Sequence, residues 1–229
     1  MHTHTLDRTR LRGVSSTETD CAACPATRRC WGDALPLPAE AVHARREPPL
    51  ERGARLLEQG DGPALYIVAT GCLVLRVSLP DGSQRVVGLR LPGELVGLES
   101  YARGEQVYTA QAASASAVCR LRLPPAGSAA THGELLERLL LKSAAQPERA
   151  AAPWAGLPAV ERVAAFIENY TQRAQLSARE DPFKLPLTRA DIGSYLGLAP
   201  ETVVRALGHL SQAQRLAVRG RTVRLGGPA

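Results

Sequence analysis

Apolar residues change rhythm along the chain. Between about residues 40 and 128 they fall in short alternating or β-branched clusters, LYIVA and CLVLRVSL among them, punctuated by Gly60, Gly62, Gly71, Gly82, Gly88, Gly93 and Gly97. Short strands at near-regular spacing predict a β-barrel or roll. Asp81-Gly82, between VLRVSL and QRVVGLRL, predicts a hairpin, because this pair accepts the positive φ of a tight turn. Residues 133–146, GELLERLLLKSAAQ, take up a helical period, with Leu135, Leu136, Leu139 and Leu140 in one stripe. Pro147 ends it, since proline lacks the N–H donor and clashes with the preceding turn. A second amphipathic helix is predicted from Ala159 to about Arg173. It carries Val160, Val163, Ile167 and Tyr170 on one face and Glu161, Arg162, Glu168 and Arg173 on the other. Residues 174–186 read as a polar loop. Two short helices, LTRADIGSYLG and APETVVRALGHLSQ, and a small hairpin, LAVRGRTVRL, follow.

The two short helices have helix-turn-helix form. Thr188 can cap the first, with Asp191 three residues on as the weaker half of a capping box. Gly193 allows the helices to approach, Gly197 suits the turn, and Pro200 suits the first turn of the second helix. In that helix Val203, Leu207 and Leu210 are expected inside, and Glu201, Val204, Arg205 and Gly208 outside. The outward set is what a DNA-reading helix requires. Arg205 can fork onto guanine O6 and N7, Glu201 can accept from a cytosine amino group, and Val204 can touch a thymine methyl. Thr188, Arg189, Thr202 and Arg221 are candidate phosphate contacts, which position without specifying. The alternative is a small helical hairpin with solvated charges.

Charge supports the first reading. The 229 residues carry 28 basic and 22 acidic side chains, for +6. From Lys184 to Ala229 there are seven basic and two acidic residues, so most of the excess sits in the last fifth of the chain and points to a polyanionic partner. No run approaches the roughly 18 apolar residues of a membrane span. The start, MHTHTLDRTRLRG, has no apolar core of an export signal. There is no Gly-Lys-Ser/Thr, no H-E-x-x-H and no G-x-S-x-G, and His2, His4, His43, His132 and His209 are scattered, so no enzyme is expected.

Five cysteines, Cys21, Cys24, Cys30, Cys72 and Cys119, are an odd number. Without an export signal that favours metal or redox use over a disulfide framework. Cys72, inside a strand pattern, reads as a small buried hydrophobe.

LTRADIGSYLGLAPETVVRALGHL with LAVRGRTVRL resembles the winged helix-turn-helix of the CRP/FNR superfamily of bacterial transcription regulators. GDGPALYIVATGCLVLRVSLPDGSQRVVGLRLPGELVGLES resembles its cyclic-nucleotide-binding-type β-roll. The likeness covers most of residues 21–225. It implies an α+β fold: an N-terminal cyclic-nucleotide-binding-like β-roll, a linking or dimerisation helix and a C-terminal winged helix-turn-helix. The corresponding divisions are a flexible tail over 1–20, a cysteine loop plus sensory roll over 21–132, a dimerisation helix and connector over 133–157, and a DNA-binding unit over 158–229.

The cyclic-AMP branch holds the phosphate with an Arg-Ser pair after a Gly-Glu turn. Here Gly93-Glu94 is present, but Tyr108 aligns with the arginine, so cyclic AMP is not expected. Cys-x2-Cys-x5-Cys with a distant Cys119 resembles the FNR branch, which implies an oxygen-labile [4Fe–4S] cluster on Cys21, Cys24, Cys30 and Cys119. A four-thiolate zinc site and reversible redox thiols remain alternatives, as, more remotely, does an iron–sulfur electron carrier or enzyme. The resemblance further implies a cytoplasmic homodimer that binds double-stranded DNA and RNA polymerase. Three departures stand out: Val204 replaces the serine before the recognition arginine, Arg29 precedes the third cysteine, and Pro147 and Pro153 interrupt the dimerisation helix.

Overall fold

Eight strands follow one another between His43 and Arg122: β1 (His43–Arg46), β2 (Arg55–Leu57), β3 (Leu65–Thr70), β4 (Leu73–Ser78), β5 (Gln84–Arg90), β6 (Leu95–Val96), β7 (Thr109–Ala112) and β8 (Ala117–Arg122). The computed structural model describes residues 43–122, 156–176 and 182–226, together with Cys30, Glu137 and Trp154. Cys21, Cys24, Pro147, Pro153 and the helix expected over 133–146 lie outside these residues, apart from Glu137, which is helical.

The strands form two antiparallel sheets, ordered β1-β8-β3-β6 and β2-β7-β4-β5. Their facing sides close on a core that includes Tyr66, Val68, Leu73, Leu75, Tyr108, Ala110 and Val118. The hairpin between β4 and β5 is present, with Gly82 at φ 80° and the Asp81 carboxylate accepting from both Ser83 donors. A six-residue helix, α1 (Leu98–Arg103), interrupts what reads as continuous β-sequence. Its segment LESYAR is framed by Gly97 and Gly104, both left-handed, a conformation that residues with a Cβ resist. A Cβ on Gly97 would also collide with the Ala64 carbonyl oxygen.

The C-terminal part comprises α2 (Ala159–Ala174), β9 (Phe183–Lys184), α3 (Arg189–Leu196), α4 (Pro200–Gln212), β10 (Leu216–Arg219) and β11 (Thr222–Leu225). The expected polar loop over 174–186 is corrected at its end. β9 joins the C-terminal hairpin as a third strand against β11, and Leu185 and Leu187 are fully buried. Phe183, Leu185 and Leu187 alternate as a strand requires, but Pro186 hides the pattern. Phe183 stacks on Tyr170 of α2 with ring centroids 5.9 Å apart.

β4 is buried on both faces. Leu73 and Leu75 face the interior of the roll, while Cys72 and Val74 join Val86, Leu89 and Leu91 in a second core. That core continues without a break into Val163, Phe166, Ile167 and Tyr170 of α2, Leu187, and Ile192 and Leu196 of α3. The outer face of the β4–β5 hairpin is therefore covered by the C-terminal helices. Burial of this apolar face, at roughly 25 cal/mol per Å², welds roll and helices together. No helix among the described residues is long and apolar enough to cross a membrane.

Candidate nucleic-acid interface and thiol site

The helix-turn-helix forms as its small residues dictate. Thr188 caps α3: its hydroxyl oxygen accepts from the Asp191 N–H at 3.0 Å, and the Asp191 carboxylate accepts from the Thr188 N–H at 2.9 Å. The capping box is thus complete. α3 ends at Gly197 in the left-handed conformation, and Pro200 takes the first turn of α4. Gly193 is where α3 packs on the backbone of the turn that leads into α4, because a Cβ there would lie 2.5 Å from the Leu198 carbonyl oxygen. Alanine is the better helix former by about 1 kcal/mol, but a clash with backbone cannot be relieved by a rotamer change and costs about 1–3 kcal/mol. Gly193→Ala is expected to lower the urea midpoint of unfolding, as followed by far-UV circular dichroism.

On α4, Val203, Leu207 and Leu210 are buried, whereas Glu201, Val204, Arg205 and Gly208 are exposed. Val204, at 56% exposure, is the most exposed large apolar side chain among the described residues. A solvated valine between Glu201 and Arg205 costs hydration and gains nothing inside the chain. Among the described residues the Arg205 guanidinium has one weak internal contact, from Nη2 to the Thr202 hydroxyl at 3.3 Å.

The expected phosphate contacts gather at the N-terminus of α3 and the tip of the β10–β11 hairpin. Arg189 donates from Nη2 to the Gly220 carbonyl at that tip, 2.5 Å away. Its Nη1 is buried with no partner among the described residues. Burial first, and then the neighbouring Arg221 guanidinium, lower the Arg189 pKa. Two cations forced together, one with an unsatisfied donor, make a place for an anion. Thr188 differs: its N–H and its hydroxyl hydrogen both go to the Asp191 carboxylate.

Cys119 and Cys30 are the described members of the expected thiol set. Alternation along β8 turns Val118 into the roll and Cys119 to the other face, where Arg46 and Ile67 are its neighbours across the ladder. Cys119 is buried and Cys30 half-buried. Among the described residues no group of three or more His, Cys, Asp or Glu could hold a metal ion. Cys72 lies elsewhere, 1% exposed in the core between roll and helices, where burial pushes its thiol up to about 12. It is the small hydrophobe that its strand position implied.

Tyr108, aligned with the phosphate-binding arginine, is 4% exposed. Its hydroxyl accepts from the Gly97 N–H at 2.8 Å and donates to Glu99 Oε2 at 2.9 Å. Burial, and then the Glu99 charge, raise its pKa. Arg90 lies 3.7 Å from Glu99. Glu94 of the Gly-Glu turn is taken by a double contact from Arg173 of α2, at 3.1 and 2.8 Å. No local sequence signal announces that pairing, because its members are 79 residues apart.

Two family models match. The cyclic nucleotide-binding domain covers residues 48–125, and the Crp-like helix-turn-helix domain covers residues 161–226. The fumarate and nitrate reduction regulatory protein of Salmonella typhi is 31% identical over 184 residues, 78% of this chain and 74% of that protein. The transcriptional regulatory protein btr of Bordetella pertussis is 33% identical over 182 residues, 77% of this chain and 75% of that protein. Among solved structures, FixK2 of Bradyrhizobium japonicum is 28% identical with a TM-score of 0.67, over 80% of this chain and 92% of FixK2. A CRP-family transcriptional regulator of Thermus thermophilus, 20% identical with a TM-score of 0.61 over 79% of this chain and 92% of that one, shares the fold. A roll joined to a helix-turn-helix whose reading face stands in solvent, together with these relatives, shows that the chain belongs to the CRP/FNR superfamily of DNA-binding transcription regulators, which are not enzymes.

Proposed function

We propose that the chain is a cytoplasmic regulator that answers oxygen, or a related oxidant, through a [4Fe–4S] cluster on Cys21, Cys24, Cys30 and Cys119, and that it binds a pseudo-palindromic site as a homodimer. The observation that carries this reading is the thiol set. Three cysteines are spaced Cys-x2-Cys-x5-Cys, and the fourth stands on β8 on the face turned away from the interior of the roll. Four thiolates without imidazole or carboxylate suit an iron–sulfur cluster, which supplies oxidant-sensitive iron and sulfide when bound. The relatives named as fumarate and nitrate reduction regulatory proteins are in keeping with an oxygen or redox response.

At the DNA, Arg205 forks onto a guanine, Glu201 accepts from a cytosine amino group and Val204 packs on a thymine methyl. With the donors of Thr188 spent on Asp191, Arg189, Arg221 and Thr202 carry the phosphate contacts. Two recognition helices about 34 Å apart enter successive major grooves. Cyclic AMP is not expected as the signal: Tyr108 aligns with the phosphate-binding arginine and spends its hydroxyl hydrogen on Glu99, so the aligned position offers no cation to a phosphate. RNA polymerase is the expected protein partner, and the exposed turn at Leu79–Ser83 is its candidate contact.

Iron and acid-labile sulfide, measured on protein purified without oxygen, test the cluster. About four of each per chain are expected, with visible absorbance that bleaches in air. Zinc without sulfide would instead make the four thiols a structural clip.

A further inference from the structure

The DNA-reading helices are tied to the roll by more than apolar contact. Arg76, near the end of β4, reaches α3 and donates from Nη2 to Asp191 Oδ1 at 2.6 Å, with side-chain exposures of 21% and 13%. The other oxygen of the same carboxylate closes the α3 capping box with Thr188. Beside it, the Val86 N–H of β5 donates to the Ser194 hydroxyl of α3 at 2.8 Å. On the far side of the shared core, Arg173 pairs with Glu94, with side-chain exposures of 8% and 16%, and also donates to the Leu89 carbonyl at 3.2 Å.

Burial alone would push the Asp191 carboxyl up. The Arg76 hydrogen bond and the Thr188 donors outweigh it, so the carboxyl titrates below its ordinary range and stays ionised. An ionised carboxylate at the N-terminus of α3 favours the helix but sits two residues from Arg189, where phosphate is expected. Unpaired, it would repel DNA. Paired with Arg76, it caps the helix without presenting its charge.

We propose that Arg76 and Glu94 are positioning residues for DNA binding. Arg76 holds α3 in place through its cap and masks the Asp191 charge from DNA phosphates, while Glu94 anchors α2 through Arg173. The roll thus acts on DNA affinity at the first turn of the helix-turn-helix, with the α4 reading face left open. Neither residue touches DNA. The proposal rests on DNA binding itself and not on what the cysteines hold.

The experiment uses the full chain and a duplex selected by the wild-type protein from a random pool. Arg76→Ala is expected to bind that duplex roughly tenfold more weakly, a typical coupling between linked sites. In an Asp191→Asn background, where there is no carboxylate to mask, Arg76→Ala should cost little further affinity. Arg76→Lys, which keeps the charge, should recover most of the affinity. Amide exchange at Val86 and along α3 should quicken in Arg76→Ala, while β10 and β11 exchange as in the wild type. Arg85→Ala, exposed on β5 and in no ion pair among the described residues, serves as the charge control. Should Arg76→Ala not fold, Glu94→Gln keeps side-chain shape and is expected to lose affinity several-fold. Wild-type affinity in both variants overturns the proposal. So does an undiminished loss from Arg76→Ala in the Asp191→Asn background, since Arg76 would then act on DNA without Asp191.

Discussion

A chain with Arg205 replaced by alanine folds like its parent and loses sequence-specific DNA binding. The guanidinium is exposed, and its weak bond to Thr202 contributes little to the fold. At the DNA the same group would make a bidentate pair with guanine, which discriminates by about 1–3 kcal/mol, or roughly 5- to 150-fold for each recognition helix. The proposed homodimer would lose this twice. Titration of the selected duplex and of a scrambled duplex separates the two roles an arginine can have. The expected result is a large loss on the selected duplex and a small one on the scrambled. An equal loss on both would reduce Arg205 to a phosphate contact.

The largest effect on stability is expected at Phe166. This side chain is 2% exposed, sits edge-on to Tyr195 with centroids 5.8 Å apart, and lies in the core that joins α2, α3 and the outer face of β4 and β5. Phe166→Ala removes a buried ring and leaves a cavity that helices pinned by Arg173–Glu94 and Arg76–Asp191 cannot collapse to fill. The cost is about 3–5 kcal/mol, a large part of the roughly 5–15 kcal/mol that stabilises a typical domain. Because one core spans roll and helices, unfolding of the described parts is expected in a single transition. Urea unfolding by circular dichroism and by fluorescence of a Trp31→Phe chain, which leaves Trp154 as the one tryptophan, should give coincident curves, with the Phe166→Ala midpoint shifted far down. Two separate transitions in the wild type would mean that the shared core does not couple the two parts.

The features legible in the sequence were those that local chemistry decides. Gly193, Gly197 and Pro200 specify the helix-turn-helix through close approach, positive φ and a missing N–H, and Asp81-Gly82 specifies a hairpin. Alternating and β-branched clusters punctuated by glycines marked the roll. Three features stayed hidden. α1 is six residues long and is held by the conformations of Gly97 and Gly104, so no periodicity reveals it. β9 is two residues long and is obscured by Pro186. The contact between roll and helices was hidden for a different reason. Val74 and Leu75 are both buried, on opposite faces of β4, and only the surplus of apolar residues in LVL hints that the outer face needs a cover. Arg76 and Asp191 are 115 residues apart, and each has a plausible local reading, a solvated strand end for one and a helix cap for the other. The Cys-x2-Cys-x5-Cys interval is read directly, because a spacing is a property of the sequence.

If oxidant reaches DNA affinity through Cys21, Cys24, Cys30 and Cys119, air must weaken the complex with DNA and must do so through these thiols. The direct test is the affinity of one anaerobic preparation for the selected duplex, measured before and after air is admitted, beside Cys119→Ser treated in the same way. A fall of tenfold or more in air is predicted for the wild type, and weak, air-insensitive binding for Cys119→Ser. Wild-type affinity that is the same before and after air, or an air response that survives in Cys119→Ser, would contradict it.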